Sequence, residues 1–117
     1  MTPHGHVAAD RRNLALHRAA LANLRRDPAL RARCLALVTR WLAAPEHAPA
    51  RAPLARWRDM LAGWSDDAIA AVVLDADEGQ TLRQCSPLAP ALTPQERWAV
   101  LRTVNRDLAR DTAPVEQ

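Results

Sequence analysis

The sequence predicts a single all-helical domain, a compact bundle of five or six helices, and three observations predict it. The apolar residues, 49% of the chain, are mostly Ala and Leu, and there is no Phe or Tyr. Ala and Leu are the strongest helix formers, whereas the β-branched and aromatic residues that suit a pleated sheet are scarce. Leu and Trp also recur at three- and four-residue spacing, the period of a helix face. Finally, helix starts are written out as Asp27-Pro28 and Thr93-Pro94-Gln95-Glu96. At 117 residues one hydrophobic core is expected. Its large-volume packing falls to Trp41, Trp57, Trp64 and Trp98.

Residues 1–8 carry Pro3, Gly5, His4 and His6 without periodicity and are expected to form a disordered tail. The helical domain then covers 9–111. A first helix from about Asp10 to Arg26 places Leu14, His17, Leu21 and Leu24 on one face. Asp27 is a preferred N-cap and Pro28 suits the first helical position, so a second helix follows almost without a linker. Its apolar residues Leu30, Cys34, Leu37, Val38, Trp41 and Leu42 cover an arc wider than the roughly 100° of a surface helix, which makes it the central element.

Pro45, Pro49 and Pro53 mark residues 44–53 as a loop, because each removes a backbone donor and biases the preceding residue away from helix. Pro53 opens a third helix with Leu54, Trp57, Leu61 and Trp64 on one face, ending near Gly63. Ser65 caps a fourth, with Asp66 and Asp67 in the first turn, where the helix dipole favours negative charge. A short fifth helix over 77–85 and a proline-broken, apolar connection from Ser86 to Leu92 precede the last helix. There Thr93 and Glu96 form a capping box around Pro94. Trp98, Leu101, Val104 and Leu108 are its expected buried face, Trp41, Trp57 and Trp98 are expected in the core, and residues 112–117 are expected to fray.

No apolar run approaches the roughly 18–20 residues that span a bilayer, and no secretory leader pattern opens the chain, so a cytoplasmic protein without membrane contact is expected. Cys34 and Cys85 stand 51 positions apart, a spacing that fits no zinc or redox motif. They read as reduced, buried thiols.

No catalytic set can be assembled. His4, His6 and His17 lack a fixed third partner at metal-ligand spacing, and no nucleophile pairs with His17. The stretch Asp75-Ala76-Asp77-Glu78-Gly79 looks superficially like a calcium loop, but Gly79 stands where a ligand is needed and Ser86 replaces the bidentate glutamate. There is no phosphate-binding loop or nucleophile elbow. The reading is therefore a protein that is not an enzyme and carries no cofactor or metal.

Charge is the most informative global feature. Residues 1–64 hold 11 Arg against 4 acids, +7, and residues 65–117 hold 5 Arg against 9 acids, −4. This polarity permits an anionic partner on the first half, a cationic one on the second, or a homodimer in which the halves meet. Arg11, Arg18 and Arg25 are spaced by seven on the first helix, and Arg33 and Arg40 repeat the spacing on the second. A nucleic-acid-binding regulator using that basic face is the alternative reading. Against it, the helix-turn-helix candidate built on Ala62-Gly63-Trp64-Ser65 puts Asp66 and Asp67 where phosphate would repel them. Arg102, Arg106 and Arg110 form a further stripe at i, i+4, where like charges repel. The acidic fourth helix is the expected internal relief.

The segment from Leu82 through Ser86-Pro87-Leu88 and Thr93-Pro94-Gln95-Glu96-Arg97-Trp98, with the helix beyond it, resembles the C-terminal part of small helical bacterial proteins of toxin-antitoxin-like gene pairs. Leu14-Ala15-Leu16-His17-Arg18 and Asp27-Pro28 are similar to the same group. Leu88 departs from the pattern, which has an aromatic there. The resemblance implies a chain that binds and restrains the product of its neighbouring gene. Together with the absence of catalytic residues and the dipolar charge, it points to a non-catalytic protein-binding module. The expected contacts are Leu16, opposite the Leu14, Leu21 and Leu24 face, with Arg11, Arg18, Arg25, Ser86, Leu88, Arg102 and Arg106.

Overall fold

The computed structural model describes residues 4–112, with side chains described from 7 to 111. Six α-helices follow in order: α1 (His4–Arg26), α2 (Pro28–Ala43), α3 (Arg51–Gly63), α4 (Asp66–Val73), α5 (Glu78–Gln84) and α6 (Pro94–Thr112). Short 3-10 turns cover Pro45–Ala50 and Ala89–Ala91. There is no strand among the described residues, and the chain is one all-helical domain. No helix is long and apolar enough to cross a membrane.

The written caps form as read. Asp27 accepts from the Ala29 amide at 3.0 Å and Ser65 from the Ala68 amide at 3.1 Å. Thr93 Oγ1 accepts from the Glu96 amide at 3.1 Å while Glu96 accepts from the Thr93 amide at 2.9 Å, a reciprocal capping box. The backbone donors hold Glu96 below the usual carboxylate range, Thr93 first, with Asn23 and Arg26 adding to this.

Two boundaries differ. Residues 4–8, expected as a disordered tail, are the first turns of α1, and residues 1–3 and 113–117 lie outside the described residues. Gly5 does not prevent this, because a single glycine costs a helix only about 1 kcal/mol relative to alanine. Residues 44–53, expected as a loop, form the Pro45–Ala50 turn and the start of α3 at Arg51. Pro45 opens that turn, and Pro53 lies in the first turn of α3, where its missing N–H costs no hydrogen bond.

The core joins Ala20, Leu21 and Leu24 of α1 to Cys34 and Val38 of α2, and Leu54, Trp57, Met60 and Leu61 of α3. Ile69, Val73, Leu82, Leu88 and Ala91 close it. Trp57 is wholly buried, and its indole N–H donates to the Leu82 carbonyl at 2.8 Å. Trp41 is half-buried and stacked on His47, with 5.6 Å between ring centroids.

Trp98 is the main correction: it is 65% exposed. The helix α6 packs antiparallel along α1, as the Asn23–Glu96 and Arg11–Asp111 contacts at opposite ends show. One neighbour needs only a narrow stripe, and Val100, Leu101, Val104 and Leu108 provide it, each half-buried. At about 100° per residue, Trp98 stands about 120° from Val104, off that stripe.

Candidate functional site

Between α1, the end of α5, the Ser86–Leu92 connection and α6 lies a cleft of about 200 Å³. Its apolar wall is Leu16, Ala20, Leu88, Ala89 and Leu92, and its polar groups come from Asn13, His17, Arg83, Gln84, Ser86 and Arg97. Asn13, Leu16, His17 and Ala20 share a face of α1 because they are three and four residues apart. The 86–92 connection is held against them by its own backbone chemistry: Ser86 Oγ accepts from the Leu88 amide at 3.2 Å, and Asn23 donates to the Ala91 carbonyl at 2.8 Å.

His17 is 8% exposed. Its Nδ1 lies 2.8 Å from the Asn13 carbonyl oxygen. A carbonyl only accepts, so Nδ1 carries the proton and Nε2 presents a lone pair. Burial pushes the imidazole below its ordinary value, Arg83 adding to this and the Asn13 carbonyl opposing it. Nε2 and the Asn13 side-chain oxygen are both buried and without a hydrogen-bond partner among the described residues. Beside them Arg83, 6% exposed, donates to the carbonyls of Val73 at 2.7 Å and Asp75 at 3.1 Å.

Of the residues read from the sequence as contacts, Leu16, Ser86 and Leu88 converge on this cleft. Two of them are corrected in character. Leu16 is half-buried rather than projecting to solvent, because α6 and the 86–92 connection cover its flank of α1. Leu88 is 3% exposed and belongs to the core, which removes it as a free partner contact.

The arginines divide. Arg11 pairs with Asp111 at 2.7 Å, Arg25 pairs with Asp67, Arg31 with Asp66 at 3.1 Å and Arg56 with Glu78 at 2.9 Å. All four pairs join the basic first half to the acidic second half, so much of the charge polarity is compensated inside the molecule. The expected relief of the α6 stripe by α4 does not occur, since the α4 acids hold Arg25 and Arg31. Arg18, Arg102 and Arg106 are exposed and have no ion-pair partner among the described residues.

No cluster of three or more His, Cys, Asp or Glu that could hold a metal occurs among the described residues. The side chains of His4 and His6 lie outside them. The calcium-like stretch has a structural explanation: Asp75 accepts from the amides of Asp77 at 2.9 Å and Glu78 at 3.0 Å, starting α5. Those donors hold its carboxyl below the usual range.

Asn13, Arg83 and Arg97 escaped the sequence reading. Asn13 had one signal, its place one turn before His17. Arg83 and Arg97 had none, because every basic residue of the chain is an arginine and nothing local distinguishes a buried one. No protein-family model, curated protein or solved structure matches the chain.

Proposed function

We propose that this chain is a non-catalytic protein-binding module whose outer helix α6 grips an acidic partner surface. The observation that carries the reading is Trp98, 65% exposed, on the same helix as Arg102 and Arg106, which have no ion-pair partner among the described residues. Trp and Arg are the residue types enriched at binding hot spots. Arg102, Arg106 and Arg110 repel one another by a few tenths of a kcal/mol per pair at i, i+4, and a facing carboxylate surface relieves this. The resemblance of the segment from Leu82 to Trp98 supports the narrower form, an antitoxin-like member of a gene pair acting by occlusion on its neighbour.

The nucleic-acid alternative has less to support it. Arg11 and Arg25, two of the three arginines spaced by seven on α1, already pair with Asp111 and Asp67. The test is co-expression with the adjacent gene product, followed by purification of the wild type and of Trp98→Ala combined with Arg102→Glu. The expected result is a complex with the wild type only, with both proteins equally helical by circular dichroism. A neighbour that is harmless alone and does not co-purify overturns the antitoxin form. Tight duplex binding that weakens steeply with salt, each phosphate contact releasing a counterion, replaces the protein partner with nucleic acid.

A further inference from the structure

We infer that His17 is a proton-sensitive joint: its protonation releases an outer layer, made of α6 and the N-terminal half of α1, from a core that stays folded. The inference does not depend on what α6 binds.

Little apolar burial holds the outer layer. No residue of α1 from Val7 to Leu16 is fully buried, nor is any described residue of α6, and His17 is the first buried residue met along α1. The two helices are tied to each other by the Arg11–Asp111 pair at 2.7 Å and by Arg12 donating to Asn105 at 2.8 Å. Segments with few buried apolar contacts open at a lower free energy than a core, so this layer leaves first.

His17 stands where the layer meets the core, and its surroundings suit only the neutral ring. Nδ1 carries the proton, and Nε2 is buried without a hydrogen-bond partner among the described residues. A proton on Nε2 is therefore a buried charge with no acceptor. No acid lines the cleft: α5 brings Arg83 to it, α6 brings Arg97, and the 86–92 connection brings only neutral groups. Acids of the same elements hold other partners. Asp66 and Asp67 of α4 pair with Arg31 and Arg25, and Asp75 accepts from the Asp77 and Glu78 amides. Glu78 pairs with Arg56, and Glu96 accepts from the Thr93 amide and from Asn23. Keeping an unpaired imidazolium buried beside Arg83 is costly, whereas water solvates it once the layer leaves. Burial holds the closed form's imidazole below its ordinary 6.5. Below about pH 6.5 the open form thus takes up the proton first, and opening is favoured as pH falls.

Native-state hydrogen exchange by NMR on the full chain tests this, at about pH 6.5 and about pH 5.5 and at several urea concentrations below the unfolding transition. Amides of residues 13–17 and 100–108 are expected to share one opening with a weak urea dependence. Those of 57–61 in α3 exchange only with the steep dependence of global unfolding. After correction for intrinsic exchange, the shared opening becomes about three- to fivefold more populated at the lower pH, the effect of one imidazole taking up a proton. His17→Gln abolishes that rise. His4→Gln, His6→Gln and His47→Gln combined preserve it. His17 is then the chain's only histidine, so this variant assigns the rise even if His17→Gln fails to fold. Four results each overturn the proposal: a urea dependence as steep for the outer layer as for α3, an opening unchanged between the two pH values, a rise that survives in His17→Gln, or a rise lost from the triple variant.

Discussion

Arg83 donates from Nη1 to the Val73 carbonyl at 2.7 Å, so the last turn of α4 is closed by a side chain from α5. A second bond reaches the Asp75 carbonyl at 3.1 Å. The approach is tight at Gly79, where an added Cβ would lie 2.6 Å from the Val73 oxygen and 2.9 Å from Arg83 Nη1. Arg83→Met leaves both carbonyls without their charged donor and lowers stability by about 1.5–3 kcal/mol. Gly79→Ala forces the two helices apart at a cost of about 1–3 kcal/mol. Urea unfolding measures both, and a midpoint unchanged in Arg83→Met removes the capping role.

Trp57 and Trp98 separate core from surface. Trp57 is fully buried and bonded to the Leu82 carbonyl, so Trp57→Ala is expected to cost about 3–5 kcal/mol. Trp98→Ala changes stability by less than about 0.5 kcal/mol, because the ring is mostly in solvent. Equal losses in the two variants would place Trp98 back in the core.

Stability falls on mild acidification through His17. Burial lowers its folded value below the ordinary 6.5. The unfolded chain therefore takes up a proton first, and stability rises with pH wherever that is so. The contribution is fully present above about pH 6.5 and is lost as pH falls from there toward the folded value. Asp75 and Glu96, with lowered values of their own, lose theirs only in the carboxylate range further down. Thermal unfolding between about pH 7 and pH 5 should show a decline that His17→Gln abolishes. A flat profile in the wild type contradicts a buried neutral imidazole.

Cys34 is expected to resist alkylation in the native protein. It is buried without a disulfide, and burial pushes its thiol up to about 11, leaving little thiolate at neutral pH. Cys85 is half-buried and reacts first, although burial raises its thiol as well. Mass spectrometry after brief iodoacetamide treatment distinguishes the two sites. Equal labelling would mean that the α2–α3 core opens readily.

Helix positions and caps were legible because they are local. Asp27-Pro28, Ser65 and the Thr93–Glu96 box act on amides two or three residues away, so their chemistry is present in the order of residues. The faces of α1 and α3 followed from apolar spacing for the same reason. The last helix escaped this logic: four apolar residues in register do not say how many neighbours will cover them, and with only α1 beside it the stripe narrowed and left out Trp98.

The sequence by itself determined the all-helical class, the order of the helices and the starts of α2, α4 and α6, since propensity, period and capping are short-range. Only the tertiary structure decided which arginines are structural. Arg31 donates to the Leu61 carbonyl at 2.9 Å and the Met60 carbonyl at 3.1 Å, and so caps α3, while Arg83 caps α4. Arg102 and Arg106, of the same residue type, face solvent. The cleft on Asn13 and His17 has the same origin. Whether a guanidinium, an amide or an imidazole finds a partner depends on which helix end comes within about 3 Å of it, a distance set by packing between elements remote in sequence.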